Sequence, residues 1–125
     1  MIPASADAPE AAQSIEGRNW RLTDLRGLDP RVLRDTKPPV TAGFKAGRIS
    51  GFSGCNQFFG PYTLDRDRVT IGPLAGSMMA CDQPRMTVEN AVHAALAGMF
   101  RYDLSDNSLT LLSGIDSRRH ASRMS

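Results

Sequence analysis

"VTAGFKAGRISGFSG", residues 40 to 54, decides how the rest of the chain is read. Val40, Ala42 and Phe44 alternate with other residues and so share one face of an extended segment, and Arg48-Ile49-Ser50 runs back after Ala46-Gly47. Glycine supplies the positive φ that a two-residue turn requires, so this stretch is a β-hairpin. Working outward, "YTLDRDRVTIGPL" from Tyr62 repeats the pattern, with Tyr62 and Leu64 before a polar turn, Val69 and Ile71 after it, and Gly72-Pro73 as the stop. "RYDLSDNSLTLL" gives a third hairpin, with Tyr102 and Leu104 before an Asp106-Asn107 turn and Leu109 and Leu111 after it. Upstream, "NWRLTDL" alternates Trp20 and Leu22 with polar neighbours as a half-buried strand, and the single tryptophan is expected to anchor the core. Between that strand and the first hairpin, "RGLDPRVLRDTKPPV" carries three prolines and many charges and reads as an irregular connection.

One segment changes period. In "DQPRMTVENAVHAALAGMF", Val88, Val92, Ala95 or Leu96, and Met99 recur at helical spacing, with Asp82 or Thr87 as the cap and Pro84 in the first turn. The expected fold class is α+β, mainly β: a small, strongly curved antiparallel sheet or barrel-like fold with one helix packed on it. There is neither βαβ alternation nor a long internal repeat, which excludes a Rossmann-type reading.

The chain has 125 residues, 41% of them apolar and 22% charged, which suits one domain with a single core. Its formal charge of +2 is carried mostly by scattered arginines. The one basic run, "SRRHASRMS", lacks the interleaved aromatics of a nucleic-acid surface, so no nucleic acid is expected as a partner. No window reaches the ~18 to 20 apolar residues of a membrane-spanning helix. "MIPASADAPEAAQS" has no basic n-region and no apolar h-region, so it is not an intact signal peptide; it resembles the linker left after such a segment is removed. Residues 1–17 are read as this flexible linker, 18–114 as the folded domain, and 115–125 as a poorly ordered tail or degenerate last strand.

Several ordered motifs point to one family. "SGCN" at 53–56, G-x-Y at Gly60 to Tyr62, "VTIGPLAGSMMAC" at 69–81, a helix carrying Glu89, and W-x-L at Trp20 to Leu22 together resemble the META domain family, which includes the HslJ-like heat-shock proteins of bacterial envelopes. The similarity runs from about Asn19 to Leu112. It implies a compact antiparallel β-fold with one helix, a periplasmic, outer-membrane-anchored or secreted setting, often as a lipoprotein, and an association with stress. It implies no catalytic activity and no cofactor. It marks Trp20, Gly51, Ser53, Gly54, Asn56, Gly60, Tyr62, Met79, Ala80 and Glu89 as motif positions. Two features depart from the family pattern. Gly76-Ser77-Met78-Met79-Ala80-Cys81 stands where a "sTrMAC"-like string is usual, and "GIDSRRHASRMS" is nearly devoid of apolar residues where a last strand is expected, which leaves an unpaired sheet edge as a possibility to be tested.

Cys55 and Cys81 fall inside two of these motifs, and three states stay open for them. The first is a disulfide, expected in an oxidising compartment, closing a loop of about 27 residues that contributes roughly 3 to 4 kcal/mol. The second is a pair of buried reduced thiols. The third is a nucleophilic Cys55, which requires a base or cation that neither His93 nor His120 is placed by spacing to supply. No C-x-x-C or H-x-x-x-H spacing suggests a metal site. Asn56, with Gly51, Gly54 and Gly60, reads as bulge or turn chemistry. Asp65 and Asp67 read as solvated turn residues. Met78 and Met79 read as core filler. Phe52, Phe58, Phe59 and Tyr62 fill the core or line a pocket; Phe58 and Phe59 are adjacent, so one of them should face outward and offer a binding surface. The expectation is a monomeric, non-enzymatic envelope protein acting in stress tolerance by binding or structural support. The alternatives are a binding module for a small hydrophobic ligand or a protein partner, such as an envelope hydrolase inhibitor, and a thiol enzyme using Cys55.

Overall fold

The computed structural model describes residues 15–105, 107–113 and 119–125. Of the expected N-terminal linker, residues 1–14 lie outside this range; Ile15 is buried, and its carbonyl accepts a 2.9 Å hydrogen bond from the Trp20 indole. The described residues form nine strands, most of them with alternating apolar residues: β1 (Asn19–Leu25), β2 (Thr41–Lys45), β3 (Arg48–Phe52), β4 (Gln57–Asp65), β5 (Arg68–Ile71), β6 (Ala75–Gly76), β7 (Gly98–Ser105), β8 (Ser108–Ser113) and β9 (Arg119–Met124). All pairings are antiparallel, in the order β3-β2-β1-β9-β8-β7-β5-β4, and β4 pairs back onto β3. Eight strands thus close a barrel, and β6 adds to the free part of β4 beside Phe58 and Phe59.

The three strand pairs of the expected hairpins form, and Asp106 of the third turn lies outside the described residues. Ala46 and Gly47 both have positive φ, 53° and 82°, the backbone of a two-residue turn whose twist matches that of the strands. Inward residues of successive strands meet inside the barrel, where Trp20, Phe44, Ile49, Phe58, Leu109 and Leu111 are each at most 2% exposed. Phe44 meets Tyr62 edge-on with ring centroids 5.1 Å apart. The Tyr62 hydroxyl donates to the Glu16 carboxylate, and burial, with that contact, pushes its pKa above the usual tyrosine value.

The described residues contain two complete helices where one is expected. The proline-rich connection contains α1 (Pro30–Asp35), whose N-cap Asp29 accepts from the Arg31 N–H at 2.8 Å. Asp-Pro there is a helix start, since proline in the first turn forfeits no hydrogen bond. Its Leu33 is buried, and the helix packs on β1. The longer helix, α2 (Gln83–Leu96), is capped by Asp82 and buries Val88, Val92, Ala95 and Leu96. It reaches from the β3–β4 turn to β1 and β9 and so covers one barrel opening. Met99 does not belong to it. The helix ends at Leu96, Ala97 is already extended, and Met99 sits outward and exposed on β7.

Residues Arg119–Met124 form the last strand, and the unpaired edge expected there does not arise. β9 pairs with both β1 and β8, so no edge is left between them. Met124 stands opposite Leu22 and Leu109 and is fully buried, and Ser125 exchanges two backbone hydrogen bonds with Arg21. A strand that presents only two described residues inward, Ser122 and Met124, shows almost no apolar pattern. Ser122 is fully buried with no hydrogen-bond partner for its hydroxyl. These two positions should respond oppositely in chemical denaturation: Met124→Ala should cost about 2 to 4 kcal/mol, whereas Ser122→Ala should be neutral or stabilise by about 1 kcal/mol.

Candidate functional site

The turn between β3 and β4 is built from the "SGCN" motif, and every residue in it has a distinct task. The Ser53 N–H donates to the Asn56 carbonyl at 2.9 Å. Gly54 has φ 108°, and a Cβ there would lie 2.9 Å from Val88 Cγ1, so glycine both permits the backbone and lets α2 approach. Gly51 and Gly60 lie in strands rather than turns; there a side chain would collide with the Thr41 carbonyl and with Leu74, respectively.

Asn56, 3% exposed, is the hub. Its Oδ1 accepts from the Met79 N–H at 2.8 Å and from the Ser77 hydroxyl at 3.2 Å, while its Nδ2 donates to the Met79 carbonyl at 3.0 Å and to Glu89 Oε2 at 3.1 Å. Its backbone N–H donates to Glu89 Oε1 at 2.8 Å, and the Ser53 hydroxyl lies 2.9 Å from the same oxygen. One carboxamide therefore joins the β3–β4 turn, the loop at 77–79 and α2. Burial acting alone would raise the Glu89 pKa, but the hydrogen bonds from Asn56 and Ser53, with His93 nearby, outweigh it and hold the carboxyl below its ordinary range.

Cys55 and Cys81 are joined by a disulfide with their Cα atoms 6.0 Å apart, which fastens the same loop a second time. Met79 contributes its backbone to the hub, and its side chain faces out. Met78 and Met79 are 93% and 61% exposed, so neither is core filler. Ala80 is exposed as well. His93, half-buried, lies with its ring 6.4 Å from that of Phe58.

Within the adjacent pair, Phe58 points inward and Phe59 outward, the latter 40% exposed. The Arg48 guanidinium lies 4.6 Å from the centre of the Phe59 ring. Two open concavities, about 560 and 430 Å³, lie on either side of this pair.

The hub and the disulfide carry separate tests. Asn56→Ala should cost about 3 kcal/mol, because it strands several buried donors and acceptors. Glu89, its folded pKa being lowered, stabilises the fold above the ordinary carboxylate range, and that contribution is lost as pH falls through the folded value. Thermal melts below about pH 5 should therefore fall more steeply for the native protein than for Glu89→Gln. Reduction of the disulfide should remove roughly 3 kcal/mol by the loop-closure argument, and equal melts with and without reductant would contradict this.

Comparison with known families matches the META domain over residues 13–124. A structure described as "NMR structure of the protein" superposes with TM-score 0.64 at 22% identity, over 90% of this chain and 91% of that one. Another, from Burkholderia xenovorans and also determined by NMR, superposes with TM-score 0.62 at 23% identity, over 93% of this chain and 84% of the other. At these identities the likeness is one of fold. No curated protein matches the sequence. The match extends through β9 and contains the Asn56 hub, the disulfide and the closed barrel, and the chain belongs to the META domain family.

Proposed function

We propose that this META-domain chain is a non-enzymatic binding module of the cell envelope that acts in stress tolerance, with the outer face around Phe59 as its contact surface. The observation that carries the proposal is the exposure of Phe59, stacked with Arg48 between two concavities, on a sheet whose inner face is fully packed. Rigid strands hold both residues, so little order need be gained on binding. The groups that would serve catalysis are otherwise engaged. The Cys55 sulfur is bonded to Cys81, and the Glu89 carboxylate accepts hydrogen bonds from Ser53 and Asn56. The disulfide supports an oxidising compartment, where such bonds persist. None of the described helices is long and apolar enough to cross a membrane.

A small-molecule fragment screen on isotope-labelled protein, read by amide chemical shifts, should give perturbations that cluster on β2, β3 and β4. Perturbations confined to other faces, or none at all, would remove this surface from consideration. Alkylation of whole cells before lysis should find both cysteines blocked, and two free thiols in freshly trapped protein would argue against the envelope setting.

A further inference from the structure

The face around Phe59 has a charge pattern that selects among partners. From Thr36 to Leu64 the chain contains no Asp or Glu. Strand register places Gly43, Ser50, Phe59 and Ala75 in one outward row, Lys45, Arg48 and Pro61 in the row beside it, and Arg21, Thr41 and Phe52 in the row on the other side, with Thr41 between Arg21 and Phe52. Among the described residues, none of Arg21, Lys45 and Arg48 is within ion-pair distance of a carboxylate. Lys45 and Arg48 share one row of this face, Arg21 lies at its far edge beside Ser125, and the strand segments between them carry no acid, so the face attracts anions around Arg48, and small residues in the central row leave its floor open.

The two concavities differ in chemistry. The larger is bordered by Thr41, Ser50 and Gln57, which offer hydroxyl and amide groups beside the rings of Phe52 and Phe58, and the smaller by Pro61, Pro73 and Ala75, which offer carbon alone. Arg48 and Phe59 border both. A ligand that crosses this ridge must bring a polar group, an anion and an apolar group in succession. An extended polypeptide does so with side chains two residues apart, about 6.6 Å along one face. A neutral sugar chain brings no anion for the Arg48 guanidinium.

The geometry points to an acidic, extended peptide segment of a partner protein, with a carboxylate held by Arg48 and an aliphatic side chain two residues away in the proline-lined concavity. This rests on the binding reading above and names its partner class. Phe59 holds the guanidinium in place from one side, leaving its N–H edge to take the carboxylate in a paired geometry.

The test is a shift titration of the labelled full chain with the blocked peptide Gly-Ser-Asp-Ser-Leu-Ser-Gly, and with versions in which Lys replaces Asp or Ser replaces Leu. The first peptide should saturate shifts on β2 to β4, with both altered peptides at least about tenfold weaker and with affinity falling as salt rises from about 50 to 500 mM. Arg48→Gln and Phe59→Ser should each weaken binding about tenfold while leaving amide shifts of β7 and β8 in place, and Arg101→Gln on β7 should leave binding unchanged. Equal binding of the Lys peptide would overturn the inference, as would polygalacturonate or anionic vesicles perturbing this face when the acidic peptide does not. If fragments perturb the face but no peptide does, the peptide inference fails and the binding reading stands. If neither perturbs it, both fail.

Discussion

The Asn56 carboxamide is the constraint on which the candidate surface depends. Buried at the β3–β4 turn, it satisfies both backbone groups of Met79 and one oxygen of Glu89, so a turn, a loop and a helix distant in sequence share one amide. A side chain with both donors and acceptors in one plane is required, and Asp would lose the donations while Leu would strand every partner. The Cys55–Cys81 bond fastens the same loop covalently, from the residue adjacent to the hub.

This fastening has a consequence for the sheet. β6 directly precedes the loop and pairs with Phe58 and Phe59, and the Ser77 N–H continues the ladder to the Gln57 carbonyl. The hub thus helps place the strand that borders the outward ring. Phe58 and Phe59 then divide as strand geometry demands: one ring joins the core and the other stands in solvent under the Arg48 guanidinium. Interior stability and surface chemistry are set by neighbouring residues on one strand.

The electrostatics are arranged with similar economy. Glu89, on the helix that covers the barrel opening, keeps its charge because amide and hydroxyl donors replace the water it loses. Arg48, on the outer face, has an aromatic ring for its neighbour and no carboxylate among the described residues. One charge is committed to structure and the other stands exposed on the surface.

Local pattern alone determined much of this protein. Alternation at Val40, Ala42 and Phe44, positive φ at Gly47, helical spacing at Val88 and Val92, and the cap at Asp82 each depend on residues a few positions apart, and each is present in the fold. The META motifs were legible for the same reason, and adjacency already required Phe58 and Phe59 to part. Elsewhere local reading misled. Asp29-Pro30 starts a helix that the neighbouring prolines obscured, Met99 kept helical spacing beyond the end of the helix, and Met78 and Met79 contribute no buried side chain. What tertiary structure alone decided depends on partners far apart in the chain. β9, with few apolar residues, is a strand because β1 and β8 offer hydrogen bonds on both its edges. Asn56 is a hub because Met79 and Glu89 arrive from 23 and 33 residues away. Closure of the barrel supplies both, and no window of sequence contains it.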